Sequence, residues 1–313
     1  MRDLVVQVLA SLSIAGTVLL PRADAALQAD SGGGGSSAAA ASPSPVRHAA
    51  SSRLSAVHPP WRPLPRCVAD AALATAIAPI LRHRTGSVAV GISDLATGVT
   101  ASYGSRTGFH TASIVKVDIL AALLLQTQRR HIALDQGGTD LATEMIESSD
   151  NDAASTLWDA AGGAPGITAA DRDLGLRDTV PDQEGNWGFT STTVTDQLRL
   201  LADLTSPRSP LTAASRRYEL SLLREVDPGQ DWGVTAAADP GTRSAVKNGW
   251  LPASPQGWWM INSIGVISHD GHQLLAAVLS SGQPSPGVGI AQVQALAKAG
   301  AAAVTATSRC SPS

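Results

Sequence analysis

Lysine is nearly missing from this chain: its 313 residues hold three, Lys116, Lys247 and Lys298, and arginine carries almost all the other positive charge. An excess of either sign is missing as well. The 23 Lys and Arg residues against 26 Asp and Glu leave a net charge of −3, which gives no electrostatic reason to expect nucleic acid or an anionic membrane surface as a partner. Metal-ligand patterns are equally scarce. His269 and His272 are spaced like a pair of ligands, but they flank a turn signal where polar residues are expected, and no third ligand is evident. Neither a metal nor another cofactor is therefore expected. No internal repeat and no Gly-x-Ser-x-Gly elbow occurs. Without that elbow, the closeness of His110 to Ser113 is poor ground for a serine–histidine enzyme of α/β-hydrolase type.

What is present supports a globular protein. Hydrophobic residues make up 43% of the chain, enough for a sizeable core in one large domain or two small ones. Residues 1–25 read as a secretory signal: a basic Arg2, an apolar stretch from Leu4 to Leu20, and Ala23-Asp24-Ala25 as a small-residue cleavage site. A retained membrane anchor is the alternative. No cysteine follows the apolar run, so no lipid attachment is expected there, and a secreted or extracytoplasmic protein is the expectation. Residues 26–60, rich in Gly, Ser, Ala and Pro, read as a linker, and the folded domain is expected over 61–313. Cysteine is limited to Cys67, before the first helix expected, and Cys310, after the last. In an exported chain the two are expected to form a disulfide if those helices lie side by side and antiparallel, with two free buried thiols as the alternative.

The pattern of the domain predicts a helix from Asp70 to about Arg82, kinked or shortened by Pro79. Strands at Ser87–Ser93 and Val99–Tyr103 follow, and then a helix over Val115–Gln128 apolar enough to be buried nearly all round. A helical middle is expected at Asp140–Glu147, Asp152–Ala161, Thr168–Leu174, Thr193–Leu204 and Ala213–Arg224. Strands return at Ser244–Leu251, Trp258–Ser268 and Gln273–Ser281, the last two joined by an Asp270-Gly271 turn, and a helix over Gly287–Thr307 closes the chain. Early and late strands are most economically placed in one sheet, with the middle helices as a second lobe and the cleft between them as the place for a site.

Ser113 and Lys116 stand three residues apart at the mouth of the buried helix, where i and i+3 share a face. A serine hydroxyl becomes a nucleophile when a base stands within reach, and a lysine can be that base when burial or a nearby cation keeps it neutral. Taken alone, the pair is equally compatible with a helix-capping serine and a solvated lysine, and Ser244 and Lys247 repeat the spacing. Two further motifs complete the set. Ser149-Asp150-Asn151 lies in a loop before a helix, and Lys247-Asn248-Gly249 lies on a strand where the glycine permits close approach.

In order and context these three motifs resemble the Ser-x-x-Lys, Ser-Asp-Asn and Lys-Thr-Gly signatures of the penicillin-recognising active-site-serine hydrolases, class A β-lactamases above all. The resemblance covers about Trp61 to Arg309. It implies an α/β fold with an antiparallel sheet built from both ends of the chain, flanked by the terminal helices, and an all-helical middle lobe. It also makes Ser244 a decoy, because that serine belongs to the strand carrying Lys247. By the resemblance, Ser113 attacks an amide carbonyl, Lys116 takes its proton and Ser149 relays a proton to the leaving nitrogen. Lys247 attracts the substrate carboxylate, Asn151, Asn248 and Gly249 contact substrate, and the backbone N–H groups of Ser113 and Trp250 form the oxyanion hole. Asp150 reads as a structural cap.

Two departures bear on substrate and turnover. Asn248 stands where the family has threonine or serine, which alters the shape of the carboxylate contact. The Glu-x-x-Leu-Asn loop, whose glutamate activates the deacylating water in class A enzymes, has no counterpart between Asp171 and Thr193; Glu184, the one glutamate there, is the candidate deacylation base, with a solvated loop carboxylate as its default reading. The segment between Lys116 and Ser149 is also short, implying a trimmed lobe and a wider cleft that Trp187, Trp250, Trp258 and Trp259 are placed to line. The expectation is a monomeric serine hydrolase acting on a β-lactam or a peptidoglycan-type peptide. The alternatives are a DD-peptidase or slow penicillin-binding protein and, from another class, a catalytically silent wall-binding module.

Overall fold

The computed structural model describes residues 66–83, 86–104, 108–252 and 257–309, with the side chains of Arg66, Cys67 and Arg309 excepted. The signal and linker expected over 1–60, and the sulfurs of Cys67 and Cys310, lie outside the described residues, so the disulfide stands as an expectation. Among the described residues no helix is long and apolar enough to cross a membrane.

The chain runs α1 (Arg66–Leu81), β1 (Ser87–Asp94), β2 (Thr100–Tyr103), β3 (Phe109–His110), α2 (Val115–Arg129), α3 (Gln136–Glu147), α4 (Asn151–Ala160) and α5 (Gly163–Leu174). It continues with β4 (Ser191–Thr192), α6 (Val194–Thr205), α7 (Ala213–Leu223), β5 (Ala245–Pro252), β6 (Trp259–His269), β7 (His272–Ser281) and α8 (Pro286–Arg309). The expected elements are present, with ends moved by a few residues. Pro79 does not stop α1, which continues to Leu81. Ser244, expected on the strand that carries Lys247, lies just before β5.

Early and late strands do join in one five-stranded sheet, in the order β2-β1-β7-β6-β5, and every pairing within it is antiparallel. Asp270 and Gly271 both have positive φ, 51° and 77°, the backbone a two-residue hairpin turn of the Asp-Gly type requires. Alternation along the strands gives the sheet two apolar faces. One face, with Val90, Ile92, Val246, Ile261, Ala276 and Val278, packs against Leu73 and Ile77 of α1 and Leu296 and Val304 of α8. The other, with Ala89, Ala245, Ile264, Leu275 and Ala277, packs against the helical lobe. In that lobe α2 is buried from Val115 through Leu125, including the charged Lys116 and Asp118. Burying two ionisable groups on one helix is energetically adverse unless each finds partners or gives up its charge.

Two elements were not expected from the sequence. β3 and β4 form a separate two-stranded ladder, pairing Phe109 with Thr192 and His110 with Ser191. It fastens the chain just before Ser113 to the loop that ends at α6.

Candidate active site

A tight 3₁₀ turn over residues 112–114 runs straight into α2 and carries Ser113, which is partly exposed while Ala112 and Ile114 are buried. Ala112 has φ +48°, the left-handed region that is disfavoured for a residue with a Cβ by roughly 1–2 kcal/mol. Surrounding bonds hold that conformation. Asn262 of β6, fully buried, donates through Nδ2 to His110 O at 2.8 Å and Thr111 O at 3.0 Å, and its Oδ1 accepts from Ser280 N at 3.0 Å. Thr111 N donates to Thr190 O at 2.9 Å.

Lys116, one helical turn on from Ser113, is buried and directs its ammonium at three acceptors: Ser149 O at 2.6 Å, Ser149 Oγ at 3.1 Å and Asn151 Oδ1 at 2.8 Å. Three donors meet three acceptors, so the charged form is satisfied. Even so, burial, and then the positive charge of Lys247, pull the Lys116 amine down to about 7, with Asp150 opposing. Ser149 reaches this position through a left-handed backbone, φ +58°, and Asp150 caps α4 by accepting from Ala153 N at 2.7 Å. The structure thus brings Ser149 and Asn151 together on Lys116, as their spacing of two suggested.

The third wall is β5. Lys247 is buried, and burial lowers its amine to about 7 against the nearby charge of Asp227. Its Nζ donates to Gln230 Oε1 at 3.3 Å and lies 3.5 Å from Asn248 O. Gly249 packs on the Ser113 turn: a Cβ there would stand 2.8 Å from Ser113 N and 2.8 Å from Thr111 O. Trp250 follows immediately, its side chain 39% exposed and tilted against Trp232 with ring centroids 6.0 Å apart.

Asn248 differs from the expectation. Its amide is buried and donates to Gln230 O at 2.6 Å and Trp232 O at 3.0 Å, so both hydrogens are spent on the 230–232 backbone. Strand alternation explains this: with Lys247 and Gly249 turned toward Ser113, the residue between them must face the other way.

Of the tryptophans, Trp187 covers Lys116, with its ring centroid 5.0 Å from Nζ and its Nε1 donating to Ser155 Oγ at 3.1 Å. Trp258 is exposed at the head of β6, and Trp259 packs against the α1 and α8 side of the sheet. Glu184 is exposed on a turn organised by Asp182 Oδ1, which accepts from Glu184 N and Asn186 N, each at 3.0 Å. In this loop it is Trp187 that meets the lysine. The histidines have separate partners: His110 Nδ1 lies 2.7 Å from Phe189 O, His269 Nδ1 2.6 Å from Ala237 O, and His272 Nδ1 2.9 Å from Asp94 Oδ2. Among the described residues no group of acidic, histidine or cysteine side chains could hold a metal ion.

Sequence reasoning missed two residues, Asn262 and Gln230. Both are polar side chains whose partners are backbone carbonyls far away in the chain, and neither belongs to a short motif. Alternation applied to Lys247-Asn248-Gly249 was the available signal for the orientation of Asn248.

The family model described as Beta-lactamase enzyme family matches residues 72–139 and 138–307. LppW of Mycobacterium bovis and of Mycobacterium tuberculosis, named as a candidate lipoprotein, is 28% identical over 207 residues, which is 64% of this chain. The chain spans 64% of the length of these curated relatives. Among solved structures, a class A β-lactamase from Bacteroides cellulosilyticus superposes with a TM-score of 0.67 at 17% identity, covering 76% of this chain and 99% of that one. PBP-A superposes with a TM-score of 0.63 at 19% identity, covering 77% of this chain and 96% of its own. A point mutant of PBP-A, solved as an acyl-enzyme complex with penicillin G, gives 0.63 at 20% identity over 77% of this chain and 97% of its own. At these identities the likeness is one of fold.

Proposed function

This chain belongs to the β-lactamase enzyme family, and on that premise we propose that it is an acyl-transferring serine hydrolase whose nucleophile is Ser113 and whose acyl-enzyme is released slowly. The observation that carries the reading is the Lys116 amine, buried at the foot of the Ser113 turn, drawn down to about 7, and bonded to both Ser149 and Asn151.

The chemistry follows from those positions. In its neutral form Lys116 takes the proton from Ser113 Oγ as that oxygen bonds to the carbonyl carbon of an amide. The negative charge that develops on the carbonyl oxygen is placed against the N–H groups of Ser113 and Trp250, which the packing of Gly249 on Ser113 keeps close. When the carbon–nitrogen bond breaks, Ser149 Oγ gives its proton to the departing nitrogen and is reprotonated by the Lys116 ammonium, leaving an ester on Ser113. Lys247 contributes positive charge from the sheet side.

Release of the ester requires a second acceptor and a base for it. Trp187 lies over the buried Lys116 ammonium, and Glu184 sits on the outside of its turn. This favours a penicillin-binding or DD-peptidase-like enzyme, acting on peptidoglycan-type amides, over an efficient β-lactamase. Exposure of the protein to such substrates requires an extracytoplasmic location, with which the signal-like pattern of residues 1–25 and the naming of LppW as a candidate lipoprotein are both consistent.

The test is to follow a fluorescent penicillin and a chromogenic cephalosporin together. A covalent adduct that persists while the cephalosporin is scarcely consumed is the expected result. Rapid turnover of the cephalosporin would overturn slow release. Glu184→Gln is expected to leave adduct lifetime unchanged, and a longer lifetime would assign Glu184 the deacylating water.

A further inference from the structure

Between α7 and β5 the segment from Asp227 to Trp232 is stitched to both lobes. At one end Asp227 N donates to Glu147 O, the last residue of α3, at 3.0 Å. At the other, Asn248 of β5 donates to the carbonyls of Gln230 and Trp232. In the middle stands Gln230, fixed by its own N–H to Asp227 O at 2.7 Å. Its carboxamide reaches in two directions: Oε1 accepts from Lys247 Nζ at 3.3 Å, and Nε2 donates to Ser148 O at 2.6 Å. We propose that Gln230 is a positioning residue for acyl transfer, a carboxamide bridge that sets the distance between the sheet lysine, Lys247, and the turn that presents Ser149 to Lys116.

The chemistry of the side chain fits the task. One end must accept from an ammonium and the other must donate to a carbonyl, and glutamine supplies both. A glutamate would serve Lys247 but turn an oxygen on the Ser148 carbonyl; a leucine would serve neither. The neighbour held by this bridge is sensitive to displacement, because Ser148 directly precedes the left-handed Ser149, whose Oγ and carbonyl both accept from Lys116. A shift of about 1 Å in such a constellation can slow a reaction by roughly a hundredfold. The charges that face Lys247 are Lys116 across the cleft and Asp227 on the segment itself. Gln230 adds an uncharged acceptor between them, which holds the ammonium without neutralising it.

This inference rests on the acyl-transfer reading, but its test does not depend on turnover. With three lysines in the chain, ¹³C-labelled lysine gives three side-chain signals whose titrations can be followed by NMR, and loss of one signal in Lys247→Arg assigns it. Gln230→Glu, which places a carboxylate against the ammonium, is expected to raise the Lys247 midpoint by about one pH unit or more. Gln230→Leu is expected to lower it, and both variants are expected to leave Lys298 unchanged. Gln230→Asn keeps the amide on a shorter stem; it is expected to shift Lys247 in the same direction as leucine and to slow acylation of Ser113 by tenfold or more. A Lys247 midpoint that stays put in all three variants overturns the bridge, whatever the activity. An adduct that survives Ser113→Ala would overturn the acyl-transfer reading instead, and leave the titration to decide the contact.

Discussion

Gly249 and Ser113 meet backbone to backbone, so closely that a methyl group on the Gly249 α-carbon would stand 2.8 Å from Ser113 N and 2.9 Å from Ile114 N. Neither neighbour is a side chain that can swing aside; both are main chain in the turn that carries Ser113. Strand β5 and the Ser113 turn therefore form one rigid edge of the site, with Gly249 as the point of contact.

Gly249→Ala tests that edge. Overpacking of this kind destabilises by about 1–3 kcal/mol, which a folded domain can survive, while the turn it displaces carries Ser113, the proposed nucleophile. The variant is expected to remain folded by circular dichroism and to lose acylation by about a hundredfold or more. Acylation at the wild-type rate would show that the contact does not set the geometry of Ser113.

The rate of acylation should depend on pH through Lys116. Its amine is pulled down to about 7 by burial and by Lys247, and in the proposed mechanism the base is the neutral form. The rate of adduct formation is expected to rise with pH toward 7 as Lys116 loses its proton, and to fall again above 7 as the Lys247 ammonium, also drawn down to about 7, loses its charge. A rate still rising steeply at pH 9 would mean that Lys116 keeps its ordinary basicity.

Stability should move the other way, because of acids in the helical lobe that the site does not use. Asp118 of α2 and Asp171 of α5 are buried against one another, and their oxygens find no other donor among the described residues. Burial pushes both carboxyls up, and each is raised further by nearby charge, so the pair is expected to hold a proton at neutral pH. Glu219 of α7 is likewise buried and pushed up by burial and by Asp118. A raised folded pKa gives stability that is fully present below the unfolded value, about 4, and is lost as pH rises through the folded one. Between pH 4 and 7 the lysines stay protonated in the unfolded chain and contribute little to the slope. Urea midpoints are expected to fall across this window, and Asp171→Asn, which can donate without titrating, is expected to flatten the fall. A wild-type profile that is flat or rising from pH 4 to 7 would contradict a protonated pair.

Much of this architecture was legible in the chain, for reasons particular residues make plain. The apolar density of 115–125 announced a helix buried all round, Asp270-Gly271 announced the β6–β7 hairpin, and Asp150 announced the cap of α4. Ser113, Ser149 and Lys247 could be picked out because their motifs are compact. What was not legible depends on long-range partners. The β3–β4 ladder joins residues about eighty apart through two-residue strands, too short to leave an alternating pattern. Gln230 and Asn262 act on carbonyls distant in the chain, and a polar side chain carries no local mark of which carbonyl it will meet. The helix expected to reach about Arg82, with Pro79 as a kink or early stop, does run past the proline and ends at Leu81; this close to the C-terminal end, few backbone bonds remain to be disturbed.

The central claim is that Ser113 is the nucleophile, and the most direct measurement is the site of covalent attachment. The protein is incubated with a saturating penicillin, digested, and mapped by mass spectrometry beside Ser113→Ala. A single adduct on the peptide carrying Ser113, absent from the variant, is the result expected. An adduct on any other residue, one that persists in Ser113→Ala, or a wild-type protein that stays unmodified, would contradict it.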